Sequence, residues 1–352
     1  MKFMKIERRT VQFQPNTRNF FFHILTQCNL CCRHCYINPE QHGRQILNEK
    51  TLSRWLAIFA DNHPITRSPN QSIPESTNDT NVIFLGGEPT LSPALPHAIR
   101  EARRLGYASI TVDTNGYLFN DILDRISPEA LDYFSFSLDG SHPGVNDFIR
   151  GDGVFDVCTS GIRRALEKGF GVSLIFTASR MNIHDLVNMP SLLTDLGVNR
   201  FFIQVIGIRG KPAGKGEMPL QLSRDEWEAV VPEVAARAAE KGIHVTYPKV
   251  FLMPDETFSC AGIVAENYFV FPNGRVYKCP LCEDYPIHSA EIVEGVLKER
   301  PPIRECDLFS LQIPEGCVLN KILHPGNISY DREGRPVSRI ACCMLKEEVL
   351  PA

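Results

Sequence analysis

"FFFHILTQCNLCCRHCYINPE", residues 20–40, places four cysteines within eight residues, directly after a run of apolar, β-prone side chains. A buried strand that ends in a thiol-rich polar loop is a place to hold a disulfide, a zinc ion or an iron–sulfur cluster. The rest of the chain narrows that choice. Its 352 residues are 43% hydrophobic, so a large core can form without disulfide staples. Residues 1–10 are basic, with no apolar h-region and no small-residue cleavage site, which predicts no signal peptide. Twelve cysteines in such a chain point to metal or redox chemistry in a reducing, cytoplasmic setting. The formal net charge of −4 argues against nucleic acid as a general partner, and no apolar run is long enough to predict a membrane span.

Outward from that first strand the sequence alternates. β-rich runs at 20–26, 82–85, 109–113, 133–136, 172–177 and 201–206 are separated by helical periodicity at 49–60, 94–105, 117–126, 155–168 and 183–196. Strands alternating with helices predict βα units and a parallel sheet. Six units are too few for a closed eight-fold barrel, so the expected fold is α/β: a partial (β/α)6 TIM-like barrel with a small cysteine-rich C-terminal extension. The expected division is an N-terminal segment at 1–19, a core at 20–245 and the extension at 246–352. Residues 61–81 are polar and Pro-rich and read as a flexible surface insertion.

Short polar motifs follow the predicted strands. The cysteines follow the first, GGEP (86–89) the second, TNG (114–116) the third and SLDG (137–140) the fourth. Singly these read as a tight turn, an Asn-Gly turn and a helix cap. Together they put four loops on one rim, where parallel α/β folds gather ligand sites. Cys28, Cys32 and Cys35, spaced C-x3-C-x2-C, offer three thiolates. Structural zinc takes four N or S donors, and His34 or Cys31 can supply the fourth. An iron–sulfur cluster held by three cysteines leaves one iron open.

"CNLCCRHCY" resembles the signature of the radical S-adenosylmethionine (SAM) superfamily, and the later rim motifs agree with it in order. The resemblance covers residues 20–208. It implies that Cys28, Cys32 and Cys35 ligate a [4Fe–4S] cluster whose open iron binds SAM, with Cys31 as a spacer. It further implies reductive cleavage of SAM to a 5′-deoxyadenosyl radical that abstracts hydrogen from substrate, fed by a small electron donor such as flavodoxin or ferredoxin. In SAM's place, Gly86, Gly87 and Glu88 offer acceptors for its ammonium, and Pro89 fixes the turn. Ser137 and Asp139 can bond its ribose or carboxylate, and Asn115 is a further polar group on the rim. Arg150 resembles an arginine that pairs with the SAM carboxylate. His34 stands where an aromatic carbocycle often packs near adenine.

"RGKPAGKGE" (209–217) is basic and glycine-rich but lacks the P-loop spacing; Arg209, Lys211 and Lys215 are candidates to meet an anionic substrate group. The tail adds Cys260, Cys279, Cys282, Cys306, Cys317, Cys342 and Cys343. Cys260, Gly274 and Cys279, with thirteen and four residues between them, resemble the opening of SPASM/twitch extensions, which hold auxiliary clusters. The ligand set expected from that resemblance is Cys260, Cys279, Cys282 and Cys317, with Cys306, Cys342 and Cys343 as possible replacements or second-site ligands. Cys158, on a helical pattern, reads as an ordinary buried thiol. These features imply an enzyme that modifies a peptide or protein. Tetrapyrrole or other cofactor biosynthesis is the second reading. A non-catalytic iron–sulfur protein is the third, disfavoured because a cluster carrier needs no GGEP rim.

Overall fold

The structure is a computed structural model that describes residues 6–11, 18–60, 80–213, 220–253, 255–300 and 303–351. Its first eight strands are β1 (Glu7–Val11), β2 (Arg18–His23), β3 (Thr80–Leu85), β4 (Ser109–Thr114), β5 (Tyr133–Ser137), β6 (Val172–Ala178), β7 (Arg200–Val205) and β8 (His244–Pro248). The C-terminal third adds β9 (Phe251–Leu252), β10 (Glu266–Val270), β11 (Arg275–Tyr277), β12 (Ala290–Val293), β13 (Val296–Glu299), β14 (Arg339–Ile340) and β15 (Lys346–Leu350). From β2 to β8 every strand pairs in parallel with the next in chain order. β10 joins β2 in parallel and leads into antiparallel β11, β12 and β13. At the other end β15 lies antiparallel between β8 and β1. Among the described residues the sheet therefore ends at β1 and β13 and does not close, as a partial barrel requires.

Residue alternation explains why the sheet curls. Phe20 and Phe22, Val82 and Phe84, Ile110 and Val112, Phe134 and Phe136, and Leu174 and Phe176 are all fully buried. They share one apolar cluster with side chains of the helices Glu49–Ala60, Leu95–Arg104, Val154–Glu167, Met189–Leu196 and Arg224–Glu240. Each such side chain contributes about 1.5–3 kcal/mol by leaving water. With helices packed on that face and strands twisting, the other face turns concave. Its residues, of opposite parity, mix polar Asn19, Asn81, Thr111, Asp113, Ser135, Ser173 and Gln204 with apolar Phe21, Ile83, Ile175 and Phe202.

Several expectations need correction. The helix expected at 117–126 shrinks to Ile122–Arg125, because Leu118, Asn120 and Asp121 have φ of 53°, 57° and 49°, outside the right-handed helical region. A helix at Pro143–Arg150 was not foreseen; proline starts it and Gly151, at φ 118°, ends it. The boundary expected after residue 245 falls inside β8, and tail strands extend the core sheet at both ends. Thr80 and Asn81, read as the end of the polar insertion, open β3; residues 61–79 lie outside the described residues. Among the described residues, no helix is long and apolar enough to cross a membrane.

Candidate metal and cofactor site

The cysteine loop leaves β2 and is pinned to the loop after β3. Gly87 N–H donates to Leu25 O at 3.1 Å and Glu88 N–H to Gln27 O at 2.9 Å. The approach is so close that a Cβ on Gly87 would lie 2.2 Å from Gln27 O, and one on Gly86 would lie 2.6 Å from Leu25 O. Only glycine permits this contact. Gly87→Ala is expected to destabilise the fold by about 1–3 kcal/mol, the usual cost of overpacking. Thermal unfolding measures it, and an unchanged Tm would show that the loops can separate freely.

Of the three motif thiols, Cys28 is exposed and Cys32 and Cys35 are half-buried. Two N–H groups already point at Cys28 Sγ: Leu30 N at 3.4 Å and Asn115 Nδ2 at 3.8 Å. Asn115 Nδ2 also donates to Asn29 Oδ1 at 2.8 Å, and its Oδ1 accepts from Tyr117 N at 3.2 Å. Cys32 lies 3.9 Å from Arg150 O, and burial pushes its thiol up, with the Arg150 guanidinium opposing. Three soft donors on one open loop, with N–H groups aimed at sulfur, suit a thiolate-bound cluster. Among the described residues, no three Cys, His, Asp or Glu side chains close on a single-ion position.

Two acidic residues sit differently from the sequence expectation. Glu88 is fully buried, and its carboxylate accepts from Thr90 N at 3.0 Å, Thr90 Oγ1 at 2.6 Å, Thr114 Oγ1 at 2.9 Å and Asn115 N at 2.7 Å. With four protein donors it has little left for a ligand ammonium; it locks the GGEP loop to the TNG loop instead. Asp139 is likewise fully buried. Its Oδ1 accepts from Thr177 N at 2.7 Å, while its Oδ2 lies 2.6 Å from Arg150 Nε and 3.2 Å from His34 Nε2. So Asp139, Arg150 and His34 pair with one another, and His34 uses a ring nitrogen to tie the cysteine loop to the SLDG loop. Ser137 stands half-buried at the concave end of β5, its carbonyl accepting from Cys158 Sγ at 3.6 Å. Cys158 is fully buried.

The basic loop also departs from expectation. Arg209 forms an ion pair with buried Glu283, and Lys211 Nζ sits 2.9 Å from both Cys31 O and Cys32 O. Arg209 is thus neutralised, Lys211 is turned onto the cysteine loop, and Lys215 lies outside the described residues.

In the tail, a cavity of about 550 Å³ is walled by Cys260, Cys279, Cys317, Cys342 and Cys343, with Phe309, Leu319 and Met344. Three of the four expected ligands stand on that wall. Cys282 is fully buried just behind it, in the short turn Pro280–Cys282, where it accepts a hydrogen bond from the Cys279 thiol. Cys342 and Cys343 arrive because β14 returns the chain to β9 and Cys317 N–H donates to Ile340 O at 2.9 Å. Burial pushes the Cys260 thiol up to about 12, with Cys342 and Cys317 adding to it. Cys343 donates to Cys342, which lowers the Cys342 thiol and raises its own. Behind the wall, buried Glu305 accepts from Cys279 N at 3.1 Å and Ser289 Oγ at 2.7 Å. No spacing rule in the sequence singles out that carboxylate.

Residues 23–193 match the model of the Radical SAM superfamily. The chain is 28% identical over 243 residues to the Fe-coproporphyrin III synthase of Methanosarcina barkeri, covering 68% of this chain and 57% of that protein. It is 25% identical over 287 residues to a probable GTP 3′,8-cyclase of Saccharolobus islandicus, covering 77% of this chain and 85% of that one. Among solved structures it resembles Streptococcus suis SuiB bound to the precursor peptide SuiA, with TM-score 0.60, 11% identity and coverage of 88% and 65%. It also resembles anSMEcpe with bound AdoMet and the Kp18Cys peptide, with TM-score 0.54, 13% identity and coverage of 75% and 74%. The chain thus spans 57% of the synthase's length and less than two thirds of SuiB's.

Proposed function

We propose that residues 23–193, which match the Radical SAM superfamily model, form a radical SAM domain, and that the protein is an enzyme that abstracts hydrogen from a peptide or protein substrate. A [4Fe–4S] cluster and SAM, when bound, supply one-electron hydrogen-abstraction chemistry. Cys28, Cys32 and Cys35 are the ligands of that cluster in this reading. The carbonyls of half-exposed Gly86 and Gly87 take the methionyl ammonium, and the Ser137 hydroxyl, on the concave side, takes a ribose or carboxylate oxygen. Asn115 directs an N–H at the Cys28 sulfur. Glu88 and the Asp139–Arg150–His34 group do not touch the ligand; they hold the loops that do.

One observation carries the peptide reading: the chemistry of the concave face. From β2 to β8 that face carries the amides and hydroxyls of Asn19, Asn81, Thr111 and Gln204 and the buried Ser135–Ser173 pair, between the apolar Phe21, Ile83, Ile175 and Phe202, with Asp113 as its acid. Asn19 bonds across to Asn267 at 2.8 Å and accepts from Asn81 at 3.1 Å. On those strands the face has one arginine and no lysine, and that Arg200 is stacked 4.3 Å over Tyr133. A triphosphate or a polycarboxylate tetrapyrrole calls for several guanidinium or ammonium partners. A trough of mixed hydrogen-bonding and apolar side chains with so few cations suits a peptide better than a polyanion. To test this, anaerobically reconstituted protein is given SAM, dithionite and synthetic peptides encoded by short reading frames beside its gene, or else GTP or a coproporphyrin. The expected result is 5′-deoxyadenosine formation stimulated by a peptide, with mass change on that peptide. Stimulation by GTP or the tetrapyrrole alone would favour cofactor biosynthesis. A flavodoxin or ferredoxin is the electron donor this reading requires in place of dithionite.

For the tail, the proposal is a SPASM/twitch-like auxiliary cluster in the cysteine-walled cavity. Cys260, Cys279 and Cys317 are ligands, with Cys342 or Cys343 replacing Cys282. The triple variant Cys28→Ala, Cys32→Ala, Cys35→Ala should then retain about four irons, the content of one cubane. About eight would mean a second tail cluster, and zinc without charge-transfer absorption would mean a structural zinc site.

A further inference from the structure

The segment Arg209–Gly210–Lys211 lies between the two cysteine regions and touches both. On the tail side, Arg209 Nη1 donates to Pro280 O at 2.8 Å and pairs with Glu283, and Gly210 N–H donates to Asp284 Oδ2 at 2.7 Å. These partners flank Cys282 directly. On the core side, the Arg209 guanidinium lies 4.5 Å over the Tyr36 ring. Gly210, at φ 61°, approaches so closely that a Cβ would meet Cys35 O at 2.6 Å. Lys211 N–H donates to Cys35 O at 3.0 Å. Lys211 Nζ donates to Cys31 O and Cys32 O at 2.9 Å and lies 3.0 Å from Cys31 Sγ. An exposed lysine normally samples many rotamers. Here both neighbours on its N-terminal side are anchored, and three acceptors converge on its ammonium.

We propose that Lys211 is a positioning residue that sets the reduction potential of the core site, its ammonium held against the Cys31–Cys35 loop by the Arg209–Gly210 anchor on the tail. This rests on the reading that Cys28, Cys32 and Cys35 hold a cluster. One-electron reduction adds a negative charge to a cluster and breaks no bond, so a fixed cation beside its loop stabilises the reduced state and raises the potential. The position is open to water, so salt screens the effect. The anchor also makes the core sensitive to the tail, since the turn that carries Cys279 and Cys282 supplies its attachment points.

The test is a dithionite titration of the reconstituted full chain, followed by electron paramagnetic resonance. The core signal is isolated by subtracting that of the triple alanine variant at Cys28, Cys32 and Cys35. Lys211→Gln, which keeps hydrogen-bond donation and removes charge, should retain core iron but titrate at a lower midpoint potential. Lys211→Arg should stay near the wild type. The gap between Lys211→Gln and wild type should shrink in 1 M salt, where the Debye length is about 3 Å. An unshifted midpoint in Lys211→Gln, or loss of core iron from it, would overturn the tuning role. If the wild type itself assembled no cluster at these cysteines, the underlying reading would fail instead.

Discussion

Cys32→Ala is expected to bring SAM cleavage down to background and to remove the core iron, while leaving a folded chain. The two halves of that expectation have separate physical grounds. Among the described residues Cys28, Cys31, Cys32 and Cys35 are the thiols of the cysteine loop, Cys31 faces Lys211, and Cys158 is fully buried against Ser137 O. Losing the central ligand leaves two thiolates, too few to hold a cubane with one iron kept open. The fold survives because the apolar core lies on the helical side of the sheet, and Cys32 is a half-buried loop residue outside it. The measurement is 5′-deoxyadenosine by chromatography, with circular dichroism as the folding control. Turnover at the wild-type rate would sink the central reading.

Arg150→Met should cost about 3–5 kcal/mol of stability at neutral pH, because it leaves one partner of a buried ion pair uncompensated. Asp139 is fully buried and Arg150 nearly so. Burial alone would push the Asp139 carboxyl up; the Arg150 guanidinium and His34 outweigh it and hold the group well below the usual carboxylate range. In the wild type that pair therefore contributes stability above the unfolded pKa of about 3.9, and loses it as pH falls through the folded value. Without Arg150 the sign reverses: burial raises the carboxyl pKa in the folded chain above its unfolded value. The variant's deficit should then be largest near pH 7 and shrink as pH falls toward 4. Urea unfolding at several pH values measures this. A pH-independent deficit would assign the loss to packing, and a weakened SAM affinity with unchanged stability would restore Arg150 to direct ligand contact.

Most of the concave-sided α/β architecture was legible because its signals are local. Alternation such as Phe20/Phe22 against Asn19/Phe21 encodes a strand with one covered face, and the helical run at 49–60 is observed as Glu49–Ala60. The rim motifs were placed correctly for the same reason: each follows its strand within a few residues. The concave face required register as well. Only the pairing of Asn267 with Asn19 and of Asn19 with Asn81 shows that three asparagines form one ladder.

Spacing and period alone determined a thiol-rich loop after the first core strand and an ordered set of rim loops. Each depends on neighbours a few residues apart, whose geometry backbone sterics already restrict. Tertiary structure decided which polar groups remain free to act. Glu88 meets Thr114 and Asn115 from the next strand end, Asp139 meets Arg150 and His34, and Arg209 meets Glu283 across 74 residues of chain. A buried charge must find such partners or be neutralised, and no local pattern says where they come from. The same holds for Cys342 and Cys343, which reach the cavity wall only because a short two-stranded pairing folds the last turn of chain back onto Cys260 and Cys317.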